Sequence, residues 1–315
     1  MAETVKKATR ESFGEALIDL GKIHDDFIVM DADLAAATKS GAFKKEFPDR
    51  FYDCGIAEQN MMGIAAGVAA TGKKVFASSF AMFAAGRAFE QIRNSIGYPH
   101  LNVTICATHA GISVGEDGAT HQCNEDIALM RTIPGMVIIN PADAVEAYQA
   151  VMAAYDSKDP MYIRLGRLAV PVIFDGDYKF EIGKSVTLRE GSDATVIATG
   201  LMVSEALIAH DILKAEGINV RVINMATIKP IDEQAIIAAA KETGAIVTAE
   251  EHSVIGGLGS AVCDVVSEYA PVPVLKLGVY DTFGVSGPAN DLLDKFGLRG
   301  KDIAEKVKKV LALKK

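Results

Sequence analysis

Cysteine is scarce and unpatterned. Cys54, Cys106, Cys123 and Cys263 stand far apart with no C-x-x-C spacing, which argues against a zinc site or a disulfide framework and leaves each as a small buried hydrophobe. No apolar run reaches the roughly 18 residues that a membrane span needs, and Met1 to Arg10 lacks the apolar stretch of a secretory signal. Positive charge is not in excess: 32 Lys and Arg face 41 Asp and Glu, a net charge of −9, so nothing draws the chain to nucleic acid or to an anionic membrane. The basic tail interleaves its lysines with Val307, Val310, Leu311 and Leu313, as on the solvated face of a last helix. These absences predict a soluble, cytoplasmic protein with no membrane or nucleic-acid partner and no metal site of its own.

What is present is length, apolar content and alternation. At 315 residues, half of them apolar, the chain has enough material for two domains with separate cores. Short apolar runs (Phe27 to Asp31, Lys74 to Ser78, Asn102 to Thr108, Met136 to Asn140, Met161 to Leu165) alternate with helical patterns such as Ile56 to Thr71, Phe80 to Gly97 and Asp143 to Asp156. Such alternation builds right-handed crossovers and a mostly parallel sheet covered on both faces. The alternation lapses between Leu168 and Ser192, around Pro171, Gly176 and Gly183, then resumes from Thr195. The expected class is therefore α/β with two doubly wound, mostly parallel sheets: residues 1–168, a linker over 169–192, and residues 193–315.

Ligands of such sheets sit at the carboxyl ends of strands. The loops bearing Asp33, Glu58, Phe80, His109 and Asp117 belong to that edge. Glu58 opens a helix among Gly, Ile, Ala and Met with no cation nearby in sequence. A carboxyl so placed has its pKa raised by burial and can serve a heterocyclic nitrogen, unless it only answers the helix dipole. Phe80 and Phe83, read as one helical turn apart, share a face that is either core or a platform for a flat ring. From His109 to His121 two histidines, Glu116, Asp117 and the glycines 111, 115 and 118 follow an apolar strand; glycine admits a ligand close to the backbone, and His and Asp read hydroxyl or phosphate groups. Arg10, Arg164 and Arg167 are candidate phosphate forks. The turn Gly256-Gly257-Leu258-Gly259 between strand and helix is either a tight turn or a phosphate cradle, and it lacks a full G-x-G-x-x-G or Walker pattern.

In this order Asp31-Ala32-Asp33-Leu34, Gly55-Ile56-Ala57-Glu58-Gln59-Asn60, Ser79-Phe80-Ala81-Met82-Phe83, Thr108-His109, Gly115-Glu116-Asp117-Gly118-Ala119-Thr120-His121-Gln122 and Arg167 the chain resembles the C-terminal half of transketolase over nearly its whole length. The resemblance implies a pyrimidine-binding domain followed by a transketolase C-terminal domain, and thiamine diphosphate-dependent transfer of a two-carbon ketol unit between sugar phosphates. It implies that Glu58 bonds the aminopyrimidine nitrogen and promotes proton removal from the thiazolium carbon. Phe80 and Phe83 would stack on the pyrimidine, with Asp33 and Leu34 beside the cofactor. Asp117 and His121 would bind the donor hydroxyls and act in catalysis. Arg10, His109 and Arg167 would hold the substrate phosphate, with Thr38 as a further contact.

Two positions depart from the family pattern: Ala37 next to Thr38 where a phosphate-binding serine is expected, and Gly86 where a third aromatic is expected. A larger departure is that no Gly-Asp-Gly occurs, the motif that holds the diphosphate and its Mg2+ or Ca2+ in the family's N-terminal domain. The resemblance therefore implies one subunit of a heterotetramer, completed by an N-terminal transketolase subunit that carries the diphosphate and metal motif, with the small-residue helix Ile56 to Thr71 suited to that contact. Rival readings are the β subunit of a 2-oxo-acid dehydrogenase, a deoxyxylulose phosphate synthase-like enzyme, and a non-catalytic stabilising subunit.

Overall fold

The computed structural model describes residues 5–314. Strands with both faces covered read as unbroken apolar runs, and Phe27–Asp31, Val103–Thr108 and Ala194–Ala198 are buried at every position. The first sheet has the order Thr227–Lys229, Val137–Ile139, Met161–Arg164, Val103–Thr108, Lys74–Phe80, Phe27–Asp31, Phe51–Asp53. Its neighbours run parallel except Thr227–Lys229, which joins from the second unit and pairs antiparallel. The second sheet has the order Val274–Val279, Ile246–Ser253, Ala194–Ala198, Val220–Asn224, Val186–Arg189, the last antiparallel. The α/β class with two doubly wound sheets is what the alternation predicts.

Helix ends follow local chemistry. Asp143 and Asp232 accept the backbone N–H of Glu146 and Ala235 at the starts of Ala144–Asp156 and Glu233–Thr243. Gly244, at φ 67°, closes the second of these. Helices cover both faces of each sheet, giving two cores per unit: Met61, Ile92, Ile105 and Tyr162 belong to one face of the first sheet, and Phe13, Phe27, Phe76 and Ile163 to the other.

Several expectations need correction. Val186–Arg189, inside the expected linker, is the edge strand of the second sheet, and Val170–Pro171 pairs with Lys6–Lys7. The side chains of Val186–Arg189 alternate between half-buried and exposed, so this strand lacks the apolar run that marks a central one. The expected helix Phe80 to Gly97 is two π-helical turns, Met82–Arg87 and Ile92–Gly97, around a short α turn at Phe89–Gln91. Phe80 is the last residue of its strand rather than part of that helix, so the two phenylalanines do not meet by helical spacing. Among the described residues no helix is long and apolar enough to cross a membrane.

Candidate functional site

Strand pairing assembles the site. Phe80 ends Lys74–Phe80 directly beside Thr108, its partner in the parallel register, so the next residue, His109, is brought against Phe80. Their rings stack at 3.7 Å between centroids and 22°. Phe83 lies parallel to Phe80 at 6.0 Å and 13°, and His121 meets Phe83 edge-on at 5.2 Å. Four rings from three segments thus form one aromatic patch at the carboxyl edge of the sheet, with Phe80 and His109 buried and Phe83 and His121 half-buried.

Glu58 opens helix Glu58–Ala70 and is 1% exposed. Its cationic neighbour comes from a distant part of the sequence: Arg87 Nη1 donates to its Oε2 at 2.8 Å, while Ser79 Oγ reaches Oε1 only at 3.4 Å. The guanidinium also stands 4.8 Å over the Phe83 ring, tying the acid to the aromatic patch. Arg87 gives little advance signal, because 29 residues separate it from Glu58; its place four residues after Phe83, at the end of a π-helical turn, is the available clue.

Arg10, at the start of helix Thr9–Ile23, donates through Nη1 to His109 Nε2 at 3.1 Å and to the Ala37 carbonyl at 2.8 Å. Its Nε is buried without a hydrogen-bond partner. His109 is pushed down to about 3, first by burial and then by Arg10, Arg167, His121 and Lys39, so it is neutral near pH 7. Because Arg10 can only donate, Nε2 must be the acceptor. The ring proton then sits on Nδ1 and faces Thr108 Oγ1 at 2.9 Å.

Loop Gly111 to His121 turns through left-handed glycines at 111, 115 and 118. Asp117 is exposed at its tip. Arg167 bonds the Val114 carbonyl and approaches Glu116 at 3.3 Å and Asp117 at 4.0 Å. Gln122 fastens the loop's end, donating through Nε2 to the carbonyls of Ile112 at 3.1 Å and Val285 at 2.9 Å.

Arg10, Glu58, Phe80, Phe83, His109, Asp117, His121 and Arg167 are brought together. Asp33, Leu34 and Thr38 lie one strand away, joined to the rest through Arg10 on the Ala37 carbonyl and organised by Asp31, a residue given no role in the sequence reading. Asp31 is fully buried; it accepts Thr38 Oγ1 at 2.7 Å, Ser40 Oγ at 2.8 Å and the Leu34 N–H at 2.7 Å. Burial pushes it up to about 6. The Thr38 hydroxyl is thereby turned inward, and Asp33, at φ 62°, is exposed with its N–H on Asp53.

Two other candidates resolve as internal structure. Arg164 is buried and pairs through Nε with Asp126 at 2.8 Å. The glycine turn at 256–259 is a tight turn: Glu250 accepts the N–H groups of Leu258 and Gly259 at 2.7 and 2.8 Å, so the carboxyl at that helix start is the protein's own. Among the described residues, no three His, Cys, Asp or Glu side chains converge to hold a metal ion.

Two family models match the chain: the transketolase pyrimidine binding domain over residues 5–172 and the transketolase C-terminal domain over residues 183–303. The solved structure of a split-gene transketolase, an inactive β4 tetramer, is similar with a TM-score of 0.90 and 52% identity, covering 98% of this chain and 99% of that one. A 6-deoxy-6-sulfo-D-fructose transketolase subunit of Clostridium sp. (strain MSTE9) is 42% identical over 294 residues, 93% of this chain and 91% of its own length. One of the subunits of an apulose-4-phosphate transketolase of Phocaeicola vulgatus is 42% identical over 292 residues, 92% of this chain and 93% of its own length. The chain therefore belongs to the transketolase family, as a split-type C-terminal subunit built from the pyrimidine-binding and C-terminal domains.

Proposed function

We propose that this chain, joined to a partner carrying the diphosphate- and metal-binding half, transfers a two-carbon ketol unit from a ketose phosphate to an aldose phosphate. The observation that carries the reading is a buried carboxylate, Glu58, opening onto an aromatic patch whose rings come from separate strands and loops. Thiamine diphosphate, on which the family depends, fits these residues. Glu58 Oε1 has only the long Ser79 contact and keeps acceptor capacity for a ring nitrogen, and the half-buried Phe83 offers a face for a flat heterocycle. When bound, that coenzyme supplies the nucleophilic carbon and the electron sink for carbon–carbon cleavage.

The chain's own residues then divide the remaining work. Glu58 holds or accepts a proton at the heterocycle's nitrogen. Neutral His109 accepts from Arg10 and keeps that guanidinium aimed into the site, where Arg10 and Arg167 bind phosphate. Asp117 and His121 read the hydroxyls of the donor. Thr38 Oγ1 donates to Asp31, and in this reading the arginines rather than that hydroxyl take the phosphate. The two relatives are named for different sugars, and in this reading the residues around Asp117 and Arg167 select the donor.

A partner face is available beside the acid. On helix Glu58–Ala70, Gly63 and Gly67 are exposed with nothing within 4 Å of where a Cβ would stand, while Ile56 and Ile64 expose 78% and 41% of their surface. Small residues with flanking apolar ones let another backbone approach closely. The test is to assemble the chain with a partner bearing Gly-Asp-Gly and assay ketol transfer with Glu58→Gln. A loss of about 10²- to 10⁴-fold is expected, the usual range for a lost acid–base group. Wild-type rates in the variant would instead mark the chain as a non-catalytic stabilising subunit.

A further inference from the structure

The loop bearing Asp117 and His121 is fastened to the second unit at its base as well as by its own sheet. Strand Ile246–Ser253 brings Glu251, 4% exposed, under the start of the loop, where its Oε1 accepts the Ser113 N–H at 2.5 Å. A Cβ on Gly111 would lie 2.4 Å from the Glu251 carboxyl carbon, so the absence of a side chain at 111 is what lets the carboxyl seat. The backbone of Glu251 is held as well: Arg164 Nη2 donates to its carbonyl at 2.9 Å and to that of Cys123 at 3.2 Å. Cys123 in turn accepts the Gly111 N–H at 2.9 Å. Both ends of the segment from Gly111 to Cys123 therefore converge on Glu251 and Arg164, while Asp117 and His121 lie between them.

We propose that Glu251 is a positioning residue of the ketol-transfer site: through the Ser113 N–H it fixes the loop that presents Asp117 and His121, without itself touching substrate. This rests on the proposed transketolase activity. The charged and titratable groups packed on it are Arg164 and Asp126; Glu250 and His252 flank it along its own strand. Burial raises its carboxyl to about 7, so the contact cannot depend on full ionisation near neutral pH. What the Ser113 N–H needs is an acceptor oxygen at that reach, which glutamine retains and aspartate, one methylene shorter, does not.

The experiment compares E251D and E251Q by amide hydrogen exchange on the chain and by donor kinetics in the assembled two-subunit enzyme, using a ketose phosphate and an aldose phosphate. Loss of one hydrogen bond to a carboxylate predicts about tenfold faster exchange across 111–114 and an about tenfold higher donor KM for E251D. Its kcat is expected to move less than its KM, and E251Q to stay within about twofold of wild type. Wild-type exchange and KM in E251D, or equal loosening in both variants, overturns the proposal, because the effect would then be absent or due to charge alone. Should E251D fail to fold, the wild-type chain still decides: the Ser113 amide is expected to exchange more slowly than those of Asp117 and Ala119, and equal rates refute the fastening. A wild-type complex without ketol transfer refutes the activity instead, and leaves the exchange result to judge Glu251.

Discussion

Arg164→Met isolates the ion pair buried between the two units. Asp126 is fully buried, and its Oδ2 accepts from Arg164 Nε and from Tyr162 OH, each at 2.8 Å. Its Oδ1 has no hydrogen-bond partner, and the nearest ring nitrogen, His252 Nε2 at 3.9 Å, belongs to a histidine that burial pushes down to about 4 and so leaves neutral. Methionine fills much of the arginine's volume but strands the carboxylate and frees the carbonyls of Cys123 and Glu251. Breaking a buried pair by removing one partner costs about 3–5 kcal/mol, against a total of about 5–15 kcal/mol for an ordinary domain. The assay is urea unfolding of the chain followed by circular dichroism, with Asp126→Asn and the double variant alongside. Removing both charges is expected to restore at least about 1 kcal/mol relative to Arg164→Met, because no uncompensated charge remains. A single-variant loss below about 1 kcal/mol, or a double variant as poor as the sum of the singles, would refute the claim that stranded charge dominates.

Two further outcomes can be measured. His109 titrates near 3 when folded against an ordinary 6.5, so between those values the unfolded chain binds a proton that the folded chain refuses. Its contribution is intact above pH 6.5 and is lost as pH falls, reaching about 2 kcal/mol by pH 5. His109→Phe, which keeps the ring stack on Phe80, should flatten the stability loss between pH 7 and 5 by about that amount, and an unchanged slope in urea titrations would contradict a neutral histidine. Separately, a Cβ on Gly284 would stand 1.7 Å from Gln122 Oε1. Gly284→Ala should therefore displace the Gln122 clamp, lower stability by about 1–3 kcal/mol, and make the segment 111–122 more sensitive to limited proteolysis; wild-type resistance would show that the clamp absorbs the methyl.

The amino-acid sequence by itself determined the alternating α/β architecture, most of the central strands, the helix ends at Asp143, Asp232 and Gly244, and the residue types gathered in the site. These depend on periodicity, turn chemistry and capping within a few residues, which any short window displays. Glu58, Phe80, Phe83, His109, Asp117 and His121 stood out as polar and aromatic residues near the carboxyl ends of apolar strands, but the roles proposed for them came from the motifs shared with transketolase, not from spacing. Only the tertiary structure decided the pairings. Arg87 reaches Glu58 across 29 residues, Glu251 reaches Ser113 across 138, and Thr227–Lys229 crosses from the second unit to complete the first sheet. The tertiary structure also turned Thr38 toward Asp31 and set Glu250 in the glycine turn. In each case a buried polar group takes the partner that the fold brings within hydrogen-bond reach, and sequence distance carries no information about which partner that is.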